Sequence, residues 1–322
     1  MYTGSDPQQT FYQDKYMVEI LLATYNGERY LAEQLESLLS QSEKNIRILI
    51  RDDGSTDGTR GILEDYAQKY PEKIRVICDQ IRCGGPTPNF MELVKHAAGE
   101  YIMFCDQDDV WKKEKVRRTL QVMAEKEETR GTDCPLLVFS DYIVADAALN
   151  PVPIREKQLQ VYGHRTDFRH LLVQNYVTGC TVMMNRAAYR LMGDYDPRIR
   201  MHDWWAAQYV SAIGEVVHLP EKLMYYRQHG DNVVSAVNVR SFSYRIGKLM
   251  DRNTRYNLKL NFAEARLLYD RFGSIMPEDS KTALEEFLRI PDFSKPRRMA
   301  ALLKGRFLKG DLVRILGQMF YI

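Results

Sequence analysis

Four short segments carry side chains that could do chemistry together. The first is Asp106-Gln107-Asp108-Asp109, directly after the apolar run YIMFC. Carboxylates at i and i+2, where a chain turns out of a buried strand, can reach one divalent ion, and Mg²⁺ or Mn²⁺ favours such oxygen ligands. The second is Asp52-Asp53-Gly54-Ser55-Thr56-Asp57. Asp53 at a strand end can accept a hydrogen bond from the N3–H of a uracil or thymine ring, whereas Asp57 suits a turn and helix cap. The third is His202-Asp203-Trp204-Trp205. A carboxylate beside apolar rings has its pKa raised toward that of a useful general base. The fourth is Tyr226-Arg227-Gln228-His229-Gly230-Asp231-Asn232, in which Arg227 can grip phosphate and His229 can complete a metal shell.

Each segment also has a plain structural alternative. An Asp-rich loop can simply be solvated, and Asp52 to Asp57 can be an Asx turn with its helix cap. Asp203 can be a cap residue followed by core tryptophans, and a single histidine is usually a hydrogen-bonded turn residue. The chemistry depends on the elements that bring the four segments together.

The first half of the chain alternates strand and helix. Strands are expected at 17–23, 46–51, 74–78 and 101–105, with amphipathic helices at 28–40, at 58–69 and after the loop Cys83-Gly84-Gly85-Pro86-Thr87-Pro88. This alternation predicts a parallel sheet covered on both faces, which binds ligands beyond the carboxyl ends of its strands. Three of the four strand ends carry polar clusters: Thr24-Tyr25-Asn26, Asp52-Asp53 and Asp106 to Asp109. After residue 136 the pattern becomes mixed. Strands are expected at 136–144, 177–185, 215–219 and 222–229, helices at 166–175 and 203–213, and only helices after about 240, with breaks near Gly273-Ser274 and Pro291.

Composition narrows the class. With 322 residues, 45% apolar and 27% charged, the chain is long enough for a sizeable core and is ordinary for a globular protein. No apolar run is of membrane-spanning length, and the first sixteen residues lack signal-peptide order. Five scattered cysteines (Cys78, Cys83, Cys105, Cys134, Cys180) form no C-x-x-C pair, which fits a reducing cytoplasm. No G-x-G-x-x-G or P-loop follows the first strand, so a dinucleotide dehydrogenase is disfavoured and phosphates must be held another way. The net charge of +2 hides an asymmetry: residues 240–322 carry 17 Lys and Arg against 9 Asp and Glu, and the rest 28 against 34.

Together the segments resemble family 2 glycosyltransferases of GT-A fold. The similarity lies in VEILLATYNGERYLAEQLESLLSQ, RDDGSTDGT, GEYIMFCDQDDVW, TGCTVMMN, HDWW and YRQHGDN, in that order over roughly residues 17–235. DQDDVW with HDWW and YRQHGDNVV is similar to bacterial rhamnosyltransferases of surface polysaccharide synthesis. The resemblance implies an α/β fold with a Rossmann-like, mostly parallel sheet and a mixed acceptor half, followed by a helical C-terminal region. It divides the chain into an extension (1–16), a nucleotide-sugar half (17–110), an acceptor half (111–235) and a basic helical region (236–322).

The resemblance also assigns roles. Thr24, Tyr25 and Asn26 would line the nucleotide pocket, Asp53 would contact the pyrimidine, and Asn89 would border the donor. Asp106 and Asp108 form the D-x-D pair, Asp108 being the favoured ligand of one Mg²⁺ or Mn²⁺ ion and His229 completing the site. Gln107 stands where many members have Asp or Ala, and would face the sugar or ribose. Asp203 would be the catalytic base, with Trp204 and Trp205 on the acceptor side. The implied activity is inverting, metal-dependent transfer of a sugar, L-rhamnose from dTDP-rhamnose, from a nucleotide-diphosphate sugar donor to an oligosaccharide or lipid-linked acceptor. A UDP-hexose transferase of the same fold, a sugar-phosphate nucleotidyltransferase and a non-catalytic polysaccharide-binding scaffold are the alternatives. Nucleic-acid binding is disfavoured, since the body is acidic and the basic tail lacks a reader module.

Residues 295–314 (KPRRMAALLKGRFLKGDLVR) alternate cations with apolar residues at spacings that allow a basic amphipathic helix. Such a helix can lie on anionic lipid, placing the protein on the inner face of the cell membrane. The same segment can equally be a packed terminal helix or a homo-oligomer contact, and Pro296, Gly305 and Gly310 weaken a long helix.

Overall fold

The computed structural model describes residues 17–152, 165–229 and 252–322. The extension 1–16, the end of the fourth segment from Gly230 to Asn232 and the expected boundary at 235/236 lie outside the described residues. The described chain forms β1 Val18–Thr24, α1 Leu31–Leu39, β2 Ile46–Asp52, α2 Thr59–Lys69, β3 Ile74–Ile77, α3 Pro86–Val94, β4 Tyr101–Cys105, β5 Val110–Trp111, α4 Lys115–Arg130 and β6 Leu136–Ala145. It continues with α5 Phe168–Leu171, β7 Val182–Asn185, α6 Arg186–Tyr189, α7 His202–Ile213, β8 Glu215–Arg227, α8 Arg252–Phe272, α9 Glu278–Arg289, α10 Lys295–Lys304 and α11 Leu312–Tyr321.

The strands make one mixed sheet in the order β3-β2-β1-β4-β7-β6-β8-β5. The first four are parallel, with Thr24 level with Asp52 and Leu22 level with Cys105. β7 is antiparallel to both β4 and β6, β8 is parallel to β6, and β5 is antiparallel to β8. From β1 the chain moves outward to β2 and β3, then returns to the other side as β4. That reversal opens a crevice beyond the carboxyl ends of β1 and β4, where ligands bind in open α/β sheets.

Strand periodicity divides the core between two faces. Val18, Ile20 and Leu22 point to one apolar cluster, while Leu21 points to the other. Ile102 and Phe104 likewise face away from Tyr101, Met103 and Cys105. The C-terminal helices share the Leu21 face: Leu268, Phe272, Phe287, Leu302 and Met319 lie in the same cluster as Trp205 and Tyr209. The packed alternative for the C-terminus therefore holds for one side of these helices.

Several expected elements differ. The strand expected at 177–185 is confined to Val182–Asn185, because Gly179–Thr181 forms a 3₁₀ turn. The helix expected at 166–175 is only Phe168–Leu171. The two strands expected at 215–219 and 222–229 are one strand, β8, whose register slips against β6 between Leu219 and Lys222. Pro220, which lacks an N–H for the ladder, sits in that slip. Helix α4 was not anticipated; its charged sequence hides Val116, Thr119, Leu120 and Met123, buried at i, i+3, i+4 and i+7. Residues 295–314 are not one helix: α10 ends at Lys304, the chain turns through Arg306 at φ 55°, and α11 starts after its Asp311 cap.

Candidate functional site

The crevice is stitched by polar side chains at the strand ends. Both ends of the Gln107 carboxamide bind the backbone of Tyr25: Tyr25 N–H donates to Oε1 at 2.8 Å, and Nε2 donates to the Tyr25 carbonyl at 2.9 Å. The β1 and β4 loops are thereby joined across the crevice, so Gln107 has a structural task besides any contact with sugar or ribose. Gly27 leaves room for this, since a Cβ there would lie 2.4 Å from Gln107 Oε1. Thr24 is buried and donates to Asp52 at 3.1 Å. Asn26, at φ 48°, accepts the Thr56 N–H at 2.9 Å. The Tyr25 side chain itself is 56% exposed beside these loops.

Asp53 directly follows β2 and accepts two backbone N–H groups, from Cys83 at 2.6 Å and Gly84 at 2.8 Å. A buried cation lies behind it. Arg51 is fully buried, forks onto Asp79 with two 2.8 Å bonds, and donates to Asn89 Oδ1 at 2.7 Å and Asp53 at 3.4 Å. The guanidinium holds the Asp79 carboxyl below the usual carboxylate range. Asn89 is thus 3% exposed with its carbonyl oxygen engaged by Arg51. Arg51 was missed because an arginine inside an apolar strand run gives no spacing signal.

The four residues after β4 take four directions. Asp106 is half-buried in the crevice, and its carboxyl is pushed up first by burial, then by the charges of Asp108 and Asp203. Gln107 goes to Tyr25. Asp108 Oδ2 lies 2.7 Å from His229 Nε2. Asp109 turns inward, fully buried, and accepts the Arg227 N–H at 3.1 Å. Arg227, expected to be able to grip phosphate, is buried instead. It donates to the carbonyls of Asp108 at 2.7 Å and Ala147 at 2.6 Å, pairs with Glu33, and stacks on Tyr30. Its role here is to clamp the β4 loop.

The acidic loop offers carboxylate oxygens of the kind a divalent cation takes. Asp106 is crowded by two further carboxylates, and a cation would relieve that repulsion. Asp106, Asp109 and Cys180 also place ligand atoms within 4.8 Å of one another. Burial pushes the Cys180 thiol well up, so it stays protonated and is a poor ligand for a hard ion. Among the described residues that trio is the one such grouping: Asp108 and His229 meet each other at 2.7 Å but do not join Asp106 within 4.8 Å. Below them lies a residue without a sequence signal, Lys115. Its Nζ sits 3.4 Å over the Trp111 ring and donates to the Cys180 carbonyl, and burial lowers its pKa to about 8. It supplies a buried positive charge beneath the acidic loop.

Asp203 stands in the first turn of α7, where helix N–H groups favour negative charge. Its carboxylate accepts from Gly179 N–H at 2.8 Å, Asn175 Nδ2 at 3.1 Å and Trp204 N–H at 2.6 Å. Burial outweighs these donors and raises its pKa to about 6. Gly179 permits the approach, because a Cβ there would meet His202 Nε2 at 2.8 Å and Asp203 Oδ2 at 3.4 Å. His202 is neutral: burial pushes it down to about 3, and its ring stacks on Phe90 at 4.1 Å.

The tryptophans expected on the acceptor side are turned into the core. Trp205 is fully buried and donates to the Met192 carbonyl at 3.1 Å; Trp204 is nearly so and donates to Leu171 at 2.6 Å. His202, Asp203, Trp204 and Trp205 are all buried, so the whole first turn of α7 packs inside the protein. Behind α7, Glu264 of α8 is a second buried carboxyl, accepting the Arg200 N–H at 3.1 Å and raised to about 7, chiefly by burial. Its place near Asp203 arises from the packing of α8 and brings together residues 61 positions apart.

A family model described as "Glycosyl transferase family 2" matches residues 19–191. The dTDP-rhamnosyl transferase RfbG of Shigella flexneri is 27% identical over 263 residues, covering 78% of this chain and 86% of the relative. An uncharacterized glycosyltransferase of Nostoc sp. is 29% identical over 235 residues, covering 70% and 69%. Among solved structures, S. aureus TarS 1–349 in complex with UDP-GlcNAc superposes with a TM-score of 0.57 at 18% identity, over 90% of this chain and 80% of that one. The mannosyltransferase PcManGT from Pyrobaculum calidifontis, in complex with GDP-Man and Mn²⁺, gives 0.53 at 16% identity, over 95% and 82%. At these identities the structural likeness speaks for the fold.

Proposed function

The chain belongs to glycosyl transferase family 2 and is a glycosyltransferase, and from that premise we propose that it transfers L-rhamnose from dTDP-rhamnose, with inversion, to a hydroxyl of a growing lipid-linked bacterial surface polysaccharide. The observation that carries this reading is the approach of Asp203, from α7, to the loop after β4: Asp203 accepts the Gly179 N–H at 2.8 Å, and the next residue, Cys180, places its Sγ within 4.8 Å of an Asp106 carboxylate oxygen. The similarity to a dTDP-rhamnosyl transferase over most of both chains supports the sugar.

In the proposed mechanism Asp203 accepts the proton of the acceptor hydroxyl. The freed oxygen attacks the anomeric carbon in line, and the nucleoside diphosphate leaves with the bonding electron pair. With its pKa near 6, Asp203 is ionised at pH 7 yet more basic than an ordinary carboxylate. Its three N–H donors hold the carboxylate in one orientation. Asp106, Asp108 and His229 would hold a Mg²⁺ or Mn²⁺ ion, which when bound would offset charge developing on the leaving diphosphate. The Tyr25–Gln107 bridge and the Arg51 hub keep the β1, β2 and β4 loops in register around the donor.

The outward side of the C-terminal helices supports a peripheral position on an anionic bilayer. Leu312, Leu316 and Phe320 recur at i, i+4 and i+8 on α11 and are 71%, 55% and 60% exposed. Exposed Arg297, Lys304 and Arg306 lie on or just after α10. Among the described residues no helix is long and apolar enough to cross a membrane.

Thermal-shift titration with dTDP-rhamnose, UDP-sugars and GDP-mannose, each with Mg²⁺ or Mn²⁺, tests the donor. A ligand at 100 times its Kd adds about 2.7 kcal/mol of stability. A response confined to dTDP-rhamnose is the expected result; stabilisation by a UDP-hexose instead would overturn the sugar while leaving the transferase class.

A further inference from the structure

Between α5, α9 and α10 lies a cleft of about 640 Å³, with Arg169, His170, Glu286, Arg289, Lys304 and Arg306 in its walls. Its two carboxylates are already matched. Glu286 takes Arg169 at 3.0 Å, and Asp167 takes His170 Nδ1 at 2.5 Å. Arg289, Lys304 and Arg306 have no carboxylate partner among the described residues and are exposed at the cleft.

The turn that carries Arg306 is held against strain. Arg306 has φ 55°, a left-handed conformation unfavourable for a residue with a Cβ. On one side Arg169 binds the Gly305 carbonyl at 3.0 Å; on the other, Phe307 is buried, stacks under Arg169 and donates its N–H to Leu302 at 3.0 Å. These anchors push the Arg306 cation to the mouth of the cleft. Three unmatched cations around one concavity repel one another until an anion sits among them, and the guanidinium fork suits phosphate oxygens.

The cleft shares a wall with the catalytic helix. In α5, Leu171 accepts from Trp204 at 2.6 Å and Gln208 at 3.2 Å on α7, while Arg169, two residues earlier, lines the cleft. It therefore lies about one helix diameter, on the order of 10 Å, from the helix that carries Asp203. Leu303, 55% exposed, precedes the cleft residue Lys304 in α10.

We propose that this cleft is an acceptor subsite that binds the diphosphate linking the acceptor glycan to its lipid, with Arg289, Lys304 and Arg306 as the phosphoryl ligands. This rests on the transferase reading above. The donor diphosphate belongs at the β4 loop, so a second cation cluster, joined to the Asp203 helix through α5, matches an acceptor that is itself anionic at its linkage. Leu303 gives the lipid chain an apolar neighbour as it leaves the cleft.

The test is calorimetric titration of a soluble prenyl diphosphate into the full chain, with the donor crevice filled by saturating dTDP and Mg²⁺. Wild type is compared with the Arg289→Ala/Lys304→Ala/Arg306→Ala variant, whose changes are at exposed positions. Affinity is expected to fall at least tenfold in the variant, with dTDP affinity and Tm unchanged. Equal prenyl diphosphate affinity in both proteins, or no binding once dTDP is present, overturns the subsite. Sedimentation with phosphatidylglycerol vesicles separates the sources of phosphate. Loss of vesicle binding without loss of prenyl diphosphate binding would assign these cations to lipid headgroups and overturn the proposal. Failure of dTDP to bind either protein would count against the donor reading alone, because the prenyl diphosphate comparison is read separately.

Discussion

Asp108 and His229 are 121 residues apart in the chain, and their side chains meet at 2.7 Å. One arrives on the loop after β4, the other just past the end of β8. If the pair helps hold a divalent ion, His229→Ala and Asp108→Asn should each remove most of the Mn²⁺-dependent rise in Tm measured with nucleoside diphosphate present. EDTA should do the same to the wild-type protein. An undiminished Mn²⁺ response in both variants would place the ion elsewhere.

Asp203 carries the second prediction. Asp203→Asn should lower kcat by about 10²–10⁴-fold, while nucleotide affinity stays within a few-fold. In the wild type the base must be ionised, and burial sets its pKa near 6. Protonation below that value removes the base, so kcat/KM should fall about tenfold per pH unit below pH 6 and level off above it. A limb near pH 4, where an unperturbed Asp titrates at about 3.9, would contradict the burial argument.

Gln107 makes two hydrogen bonds to the Tyr25 backbone. Each is worth about 0.5–1.5 kcal/mol net. Gln107→Glu keeps the length but sets a carboxylate oxygen against the Tyr25 carbonyl. Donor KM should rise by roughly tenfold, with a smaller change in Tm, as measured by initial rates and calorimetry. Unchanged donor kinetics would mean that the β1–β4 bridge does not shape the donor site.

Arg51 neutralises Asp53 and Asp79 from a fully buried position. Arg51→Leu leaves those carboxylates without their cation, and breaking a buried pair in this way costs about 3–5 kcal/mol. Tm should drop on the order of 10 °C, and nucleotide binding should weaken with it. A variant with wild-type Tm would show that Asp53 and Asp79 find other partners.

The exposed stripe of α11 gives the last prediction. Leu316→Glu with Phe320→Glu places two negative charges among exposed apolar side chains, so cosedimentation with anionic vesicles should fall severalfold while activity on a soluble acceptor is retained. Equal sedimentation of variant and wild type would remove α11 from the membrane contact.

Much of the parallel half was legible in the sequence. β4 lies where its apolar run placed it, and β1, β2 and β3 fall within a residue of expectation at each end. Local signals were enough, because a short apolar run between polar loops encodes a buried parallel strand without outside help. The mixed half was less legible. Gly179–Thr181 turns where a strand was expected because Gly179 must pass close to His202 and Asp203, a contact between residues more than 20 positions apart. α4 was hidden because its exposed face is so charged that the buried stripe is diluted.

By itself the sequence determined which strands end in carboxylates and that those ends share one edge of a parallel sheet, because both follow from local periodicity and chain reversal. Tertiary structure alone decided what each polar residue does. It joined Gln107 to Tyr25, turned Arg227 into a clamp, buried Trp204 and Trp205, and set Arg51, Lys115 and Glu264 behind the site. The reason is physical: a side chain's charge state and orientation depend on the donors, charges and water around it, and in this fold those neighbours come from segments far apart in the chain.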